Sequence, residues 1–352
     1  MNHLYKGLGI AGLLLTLNSQ PNLEFAINHT LPETIVSEPV IENTIVNIPK
    51  IEETETKEND ISEKVEPVVE ERVSYNPILG SSSYRIRDSN EIEYFDNKDY
   101  ALIVLSPHFD DAILSVGGII SEYNSDKFIV TFFSTPIIES DYLTNWDRIS
   151  GFSRSADARN IRIEENATAS ELLNANPIDK DYIDLQYRST ANDSSIIESI
   201  TKDIENIINY NNYNGVLVLG PSYMGNTITH PDHAIVSEAF VNSANNNTNE
   251  NIRFYFYEDL PYTQSRFGNT DISLDRILTG KYNGLALNRH EIKISDEAMN
   301  MKIDAINLYP SQVKAFSNFG IDIGRYVKFF GSNRIQDSPH NYYEVIYEIV
   351  KD

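Results

Sequence analysis

Two short apolar runs, ALIVL at 101–105 and GVLVLG at 215–220, do not alternate with polar residues. A strand with one wet face alternates, whereas a strand covered on both faces stays apolar throughout. Each run leads into a helical pattern, AILSVGGIISEY after the first and HAIVSEAFVNSA after the second. FIVTFFST (128–135) is strongly β-prone, and RFYFYED (253–259) alternates and ends in two carboxylates. RNIRIEENATASELLNA (159–175) reads as a helix between the second and third strands. This order predicts an α/β sandwich around a mostly parallel sheet, with ligands bound just beyond the carboxyl ends of the strands. NSANNNTNEN (242–251) reads as a surface loop, and no internal repeat is present.

Composition narrows the chemistry. The chain carries 52 Asp and Glu against 28 Lys and Arg, a formal charge of −24, which would repel a phosphate backbone and argues against nucleic acid as a partner. Cysteine is absent, which excludes disulfides, thiolate nucleophiles and zinc–thiolate sites. Any metal must rest on carboxylates and on seven histidines. The start of the chain, MNHLYK followed by the apolar GLGIAGLLLTL and the polar NSQPN, predicts an export signal or an N-terminal anchor over residues 1–25. Its apolar stretch is shorter than the roughly 20 residues of a comfortable membrane span. Residues 26–74 contain no aromatic side chain, and between Leu31 and Arg72 twelve acidic residues face four basic ones. Such a segment cannot bury enough surface to offset its ordering entropy, so 26–75 reads as an acidic linker and 76–352 as the folded domain. The expected location is secreted or cell-surface, with a tether through the N-terminus if the signal is retained.

Both strands best suited to be central end in clusters of His and Asp. The first gives SPHFDD, with His108, Asp110 and Asp111; the second gives THPDH, with His230, Asp232 and His233. Alone, each fits a polar, capped helix start, since Asp favours N-caps and first turns and Pro231 suits the first helical position. Together, at two strand-to-helix junctions, they make a complementary ligand set. Two His and one carboxylate can hold a catalytic zinc with a position left for water. His108 and Asp111 lie three apart on one turn, and His233 arrives from the neighbouring junction. A divalent cation also explains two adjacent carboxylates at a buried strand end. Asp110 is then left outside the ligand set as a base, and His230 as a second group facing the reacting carbonyl.

SPHFDDAILSVGG and THPDH resemble the two signature motifs of the PIG-L/LmbE-like deacetylases. RIEENATASELL (162–173), YEDLPY (257–262) and KIDAINLYPSQ (302–312) extend the resemblance over about residues 98 to 315. It implies a Rossmann-like three-layer sandwich and zinc-dependent removal of acetyl groups from N-acetylglucosaminyl substrates. Carried over, it implies one Zn2+ per chain on His108, Asp111 and His233, with Asp110 as general base. His230 stabilises the oxyanion or protonates the leaving amine, and Arg162 binds sugar; Asp184 is a further candidate for binding hydroxyls. Arg162 has a plainer alternative, a surface helix arginine paired with a neighbouring Glu. Two positions depart from the pattern: Phe109 stands where the family usually has proline, altering the loop or offering a stacking face. Asn174 stands where a glycine usually follows the helix, and Asn tolerates the left-handed cap. The expected substrate is an N-acetylated amino sugar, with an extracellular glycan favoured by the N-terminal segments. Two rival functions are an amidase for another N-acylated amino-sugar conjugate and a non-catalytic carbohydrate-binding surface protein. Oligomeric state is not readable.

Overall fold

Strand β1 (Tyr100–Ser106) is buried along its whole length, and its apolar run serves two cores. Leu102 and Val104 enter one, Ile103 and Leu105 the other. The computed structural model describes residues 99–135, 143–188, 194–210, 213–223, 230–263, 285–332 and 341–350, with Leu278, Lys281 and Tyr282. The expected N-terminal signal and acidic linker lie outside the described residues, as do His3, His29 and His340. Among the described residues no helix is long and apolar enough to cross a membrane.

Chain order runs β1, α1 (Asp111–Glu122), β2 (Lys127–Thr131), α2 (Asn145–Ser150), α3 (Ser155–Leu172), β3 (Asn176–Asp179) and a 3-10 turn (Leu185–Tyr187). It continues with α4 (Ser194–Tyr210), β4 (Gly215–Pro221), α5 (Pro231–Asn246), β5 (Ile252–Tyr257) and β6 (Ala286–Ile294). Helices α6 (Asp296–Asn307), α7 (Pro310–Asn318) and α8 (Ile323–Ser332) precede the last strand, β7 (Tyr342–Val350). The seven strands lie in the order β3-β2-β1-β4-β5-β7-β6. The first five are parallel, and β7 runs antiparallel to both β5 and β6. Helices α1, α3 and α6 to α8 cover one face, while α4 and α5 cover the other. The expected three-layer sandwich is therefore present, with ALIVL and GVLVLG side by side at its centre.

From β1 the chain builds outward through β2 to β3, then returns to add β4 and β5 on the other side. The order reverses between β1 and β4, so the loops after these strands diverge and leave a crevice between them. Both His and Asp motifs begin there.

Two local expectations need correction. FIVTFFST leaves the sheet after Thr131, because the chain turns tightly and the Ser134 N–H donates to the Phe132 carbonyl (3.2 Å). The Asn-rich stretch 242–251 is not all loop: α5 persists to Asn246, held by buried Ser243 and Ala244 and by Asn246 Nδ2 donating to Glu205 on α4 (2.8 Å). Only Asn247–Asn251 turns, with the Asn247 and Asn249 side chains accepting backbone N–H groups two residues on. The antiparallel β6–β7 pair escaped detection. Asn174 takes φ 51°, the left-handed conformation expected after the α3 helix. His290 is buried, with Nε2 3.3 Å from Glu348 Oε2.

Candidate metal centre and catalytic cleft

Ser106 closes β1 and shapes the turn that follows. Its hydroxyl donates to the His108 carbonyl and accepts the Ala112 N–H (3.0 Å), which binds both ends of the PHFDD turn to the strand. Phe109 fills the core beneath the turn, and its carbonyl accepts the Tyr309 hydroxyl (3.0 Å). The turn thus presents His108, Asp110 and Asp111 to the crevice. Asp110 occupies the N-cap position of α1, yet its side chain makes no capping hydrogen bond. The carboxylate faces the cleft instead. Across the crevice, Pro231 starts α5 as expected and His230 caps it, Nδ1 accepting the Asp232 N–H (3.3 Å). His233 follows on the first turn, fully buried.

Three ligand atoms from the two motifs converge. His108 Nδ1 lies 3.2 Å from Asp111 Oδ2 and 3.2 Å from His233 Nε2, and His233 Nε2 lies 3.1 Å from Asp111 Oδ2. Ligands about 2.0–2.2 Å from a tetrahedral ion stand about 3.3–3.6 Å from one another, so the triangle is a slightly contracted face of such a site. The outer nitrogens are also engaged. His233 Nδ1 meets Asp259 Oδ2 at 2.7 Å, and His108 Nε2 meets Asp232 Oδ2 at 3.2 Å. Carboxylates only accept, so each outer nitrogen carries the proton and each inner one offers a lone pair. Two lone pairs and a carboxylate oxygen within 3.2 Å repel unless a positive charge lies between them.

Without a cation that charge comes from protons. Burial lowers the His233 imidazole, but Asp111 and Asp259 outweigh it and raise the group to about 10. Burial likewise opposes protonation of His108, and Asp184, Asp111 and Asp232 raise it well above the usual value. Burial works against the Asp111 charge too, yet the facing histidines hold this carboxylate far below its normal range. The residues therefore fit a divalent metal on charge and on distance. Other trios lie close together, among them His108 with His230 and His233, and Asp111 with His233 and Asp259. Asp259 Oδ2 already accepts from the outer nitrogen of His233, and His230 Nδ1 accepts at the α5 cap.

Asp110 is the acid of the site with no metal-ligand geometry. Burial and the neighbouring Asp111 raise it to about 7, against a smaller opposing effect of His108. His230 goes the other way: burial depresses it to about 3, so it is neutral near pH 7. With Nδ1 accepting from the backbone, its remaining proton sits on Nε2.

The cleft outside the triangle opens to solvent. Six of the seven expected site residues line it, and His233 lies fully buried behind His108 and Asp111. Arg162, from α3, is buried rather than a surface arginine: its guanidinium pairs with Asp147 (3.0 Å) and lies 5.3 Å from the Phe152 ring. Asp184 lines the same cleft, held by Gln186, whose backbone N–H (3.0 Å) and side-chain Nε2 (2.7 Å) donate to it. Its Oδ1 is 3.8 Å from His108 Nε2.

Four supporting residues had no assigned role in the sequence reading. Asp232 lay inside the second motif, and its carboxylate bridges His108, the Leu185 N–H (2.9 Å) and Arg188. Asp259 was visible as a carboxylate after β5. Asp147 gave no signal; fully buried, it holds Arg162 and accepts from Ser155 (2.7 Å) and Tyr187 (2.7 Å). Glu165, on α3 three residues after Arg162, accepts the N–H (2.8 Å) and hydroxyl (2.6 Å) of Ser311 and so caps α7.

A doubly wound α/β sheet with a cluster of two His and one Asp at its switch point, fit for a metal, defines the class. Residues 103–244, from β1 through α5, match the family PIG-L, GlcNAc-PI de-N-acetylase. No curated protein sequence matches the chain. Among solved structures it is similar to the A40926 pseudoaglycone deacetylase Dbv21, at 23% identity and a TM-score of 0.58, over 72% of this chain and 98% of that one. A deacetylase of the teicoplanin biosynthesis pathway gives 23% and 0.57 over the same shares. The zinc inhibited form of teicoplanin deacetylase Orf2 gives 21% and 0.57, again over 72% and 98%. At these identities the likeness establishes a shared fold.

Proposed function

We propose that this chain hydrolyses the N-acetyl amide of N-acetylglucosamine-containing substrates, with one Zn2+ held by His108, Asp111 and His233. The observation that carries the reading is the triangle of two imidazole nitrogens and one carboxylate oxygen, each imidazole backed by a second carboxylate. The family's description as a GlcNAc-PI de-N-acetylase supports the same chemistry. When bound, Zn2+ supplies a lowered pKa for water and a polarised acyl oxygen.

The chain's own groups do the rest. Asp110, uncommitted to the helix cap and raised to about 7, takes the proton of the attacking water and can return it to the departing amine. Neutral His230 donates Nε2–H to the oxygen on which negative charge develops. Arg162 and Asp184 offer a donor and an acceptor for sugar hydroxyls, and Asp147 keeps the arginine in place. A non-catalytic sugar-binding protein has no use for a base and a neutral donor kept facing the cleft. The N-terminal segments favour an extracellular glycan, which cell fractionation with an antibody to the domain would test.

Metal analysis of protein purified under metal-replete conditions, followed by amine release from N-acetylglucosamine oligomers, tests the core of the reading. About one Zn2+ per chain and stoichiometric acetate and amine are expected. A chain that holds no metal and releases no amine from any of them sinks it.

A further inference from the structure

The turn Asp259–Thr263 touches the metal triangle at two points yet adds no ligand to it. Asp259 Oδ2 lies 2.7 Å from the outer nitrogen of His233. The Tyr262 ring meets the same imidazole with centroids 4.8 Å apart and planes 71° apart. One stretch of backbone therefore grips His233 by a nitrogen and by its ring. The stretch begins after β5 has ended at Tyr257, so the strand ladder no longer places it.

Side-chain hydroxyls place it instead. The Asp259 N–H donates to Ser222 Oγ (3.3 Å), the Leu260 N–H donates to Ser115 Oγ (3.1 Å), and the Thr263 hydroxyl donates back to the Asp259 carbonyl (2.9 Å). Ser222 directly follows β4, which fixes it to the sheet. Ser115 comes from a different element with a connection of its own to the metal triangle. It lies on α1 four residues after Asp111, so the two side chains share one face of the helix. Helical geometry is lost only after Ser115, at Val116. A single regular turn of α1 thus spaces Asp111 from the backbone that grips His233. Ser115 belongs to the SPHFDDAILSVGG stretch, and the hydrolytic chemistry makes no use of its hydroxyl. Leu260 is buried, and a buried N–H that loses its acceptor is costly enough to shift the segment that carries it.

We propose that Ser115 is a positioning residue of the metal centre: its hydroxyl ties the Asp259–Thr263 turn to the first turn of α1, and so sets the His233 imidazole relative to Asp111. The inference rests on the metal reading of the triangle. It goes beyond that reading in assigning metal affinity to a hydroxyl that touches no ligand. A site holds its ion well only when each ligand stays within about 0.5 Å of the productive geometry, which demands support for the groups behind the ligands. Asp259 is such a group, and its backbone is held on one side by β4 and on the other by α1. Without Ser115 Oγ only the first hold remains, and Asp259 no longer moves as one piece with Asp111.

A double-mutant cycle on zinc affinity tests this without recourse to turnover. Full-length wild type, Ser115→Ala, Asp259→Asn and the double variant compete with a chromogenic chelator for Zn2+. Ser115→Ala should weaken zinc about three- to tenfold, less than the loss of Asp259 itself. In the Asp259→Asn background the same substitution should change affinity by no more than about twofold, because the group it positions is gone. Ser222→Ala, which frees the neighbouring N–H, should behave as Ser115→Ala does and keeps the test open if Ser115→Ala folds poorly. Ser243 serves as the control for general loosening: it is equally buried, bonds to the Ala239 and Thr201 carbonyls and touches no part of the turn. Ser243→Ala should leave zinc affinity within about twofold of wild type. Unchanged affinity in both Ser115→Ala and Ser222→Ala overturns the positioning role, as does an equal loss with and without Asp259. A matching loss in Ser243→Ala overturns it too, by tracing the effect to stability. Wild type that competes for no zinc removes the metal reading and the inference with it, a result distinct from tight binding that Ser115→Ala fails to weaken.

Discussion

Helix α1 carries two buried charge clusters, one at its start and one at its middle, and they are resolved in opposite ways. At the start, Asp110 and Asp111 sit beside His108 and His233, and the inner atoms are all acceptors once the outer nitrogens are protonated. In the middle the helix leaves regular geometry at Val116 (φ −128°, ψ 27°). There Lys302 donates to the freed Ser115 carbonyl (3.0 Å), and Glu344 accepts from the Gly118 (3.0 Å) and Ile119 (2.8 Å) backbone N–H groups. The two side chains also pair with each other at 2.6 Å. This second cluster closes on itself: a cation covers the loose carbonyl, an anion covers the loose amides, and each neutralises the other. The glycines of the SVGG stretch make room, since a Cβ on Gly117 would fall 2.8 Å from Lys302 Cγ and one on Gly118 2.7 Å from Ile294 Cγ2. A buried charge cluster that satisfies its own members holds a fold together. One that needs an outside cation marks a site.

Perturbing one cluster should therefore change chemistry and perturbing the other should change stability. Asp110→Asn should keep its metal and lose kcat by about 10²–10⁴-fold. Turnover at the wild-type rate would assign the proton to another group. Lys302→Met leaves Glu344 buried and unpaired, at a cost of about 3–5 kcal/mol in urea unfolding of the metal-free protein. Pairing it with Glu344→Leu should recover part of that loss, and a silent single substitution would show that the middle cluster is not closed in the way described. Asp259→Asn removes the carboxylate behind His233 and should weaken zinc about 10–100-fold, read by competition with a chromogenic chelator. Unchanged affinity would mean that the His233 ring is held by packing against Tyr262, 4.8 Å away, instead.

The smallest effect is in pH dependence. Asp110 must be ionised to accept a proton, and burial with Asp111 beside it raises its pKa to about 7. Rate should thus fall as pH drops through the folded pKa, and a divalent cation bound beside Asp110, being positive, would move that limb below 7. The kcat/KM profile should show an acid limb in the wild type that is absent from the residual activity of Asp110→Asn. An identical limb in both would place it on some other group.

The two motifs were readable because metal chemistry restricts residue types and the spacings are local. His108 and Asp111 are joined by one turn, and His230 and His233 by another, so periodicity alone sets their relative directions. The apolar runs announced strands covered on both faces, and Asn174 announced a left-handed cap, for similarly local reasons. Elements whose character depends on distant partners were read less well. The end of α5 looked like loop until Asn246 found Glu205 on α4, and β6 and β7 become one edge only through mutual pairing.

By itself the sequence determined the class of fold and the His and Asp content of the two motifs, since each follows from chain-local pattern and composition. Tertiary structure decided which of many carboxylates stand behind the ligands. Asp232 and Asp259 lie 3.2 and 2.7 Å from the outer nitrogens of His108 and His233, and Asp147 lies under Arg162. It also decided that Gln312 turns its oxygen to Trp146, a residue 166 positions away in sequence. Hydrogen bonds act over about 3 Å, and only the path of the folded chain brings such residues within that range.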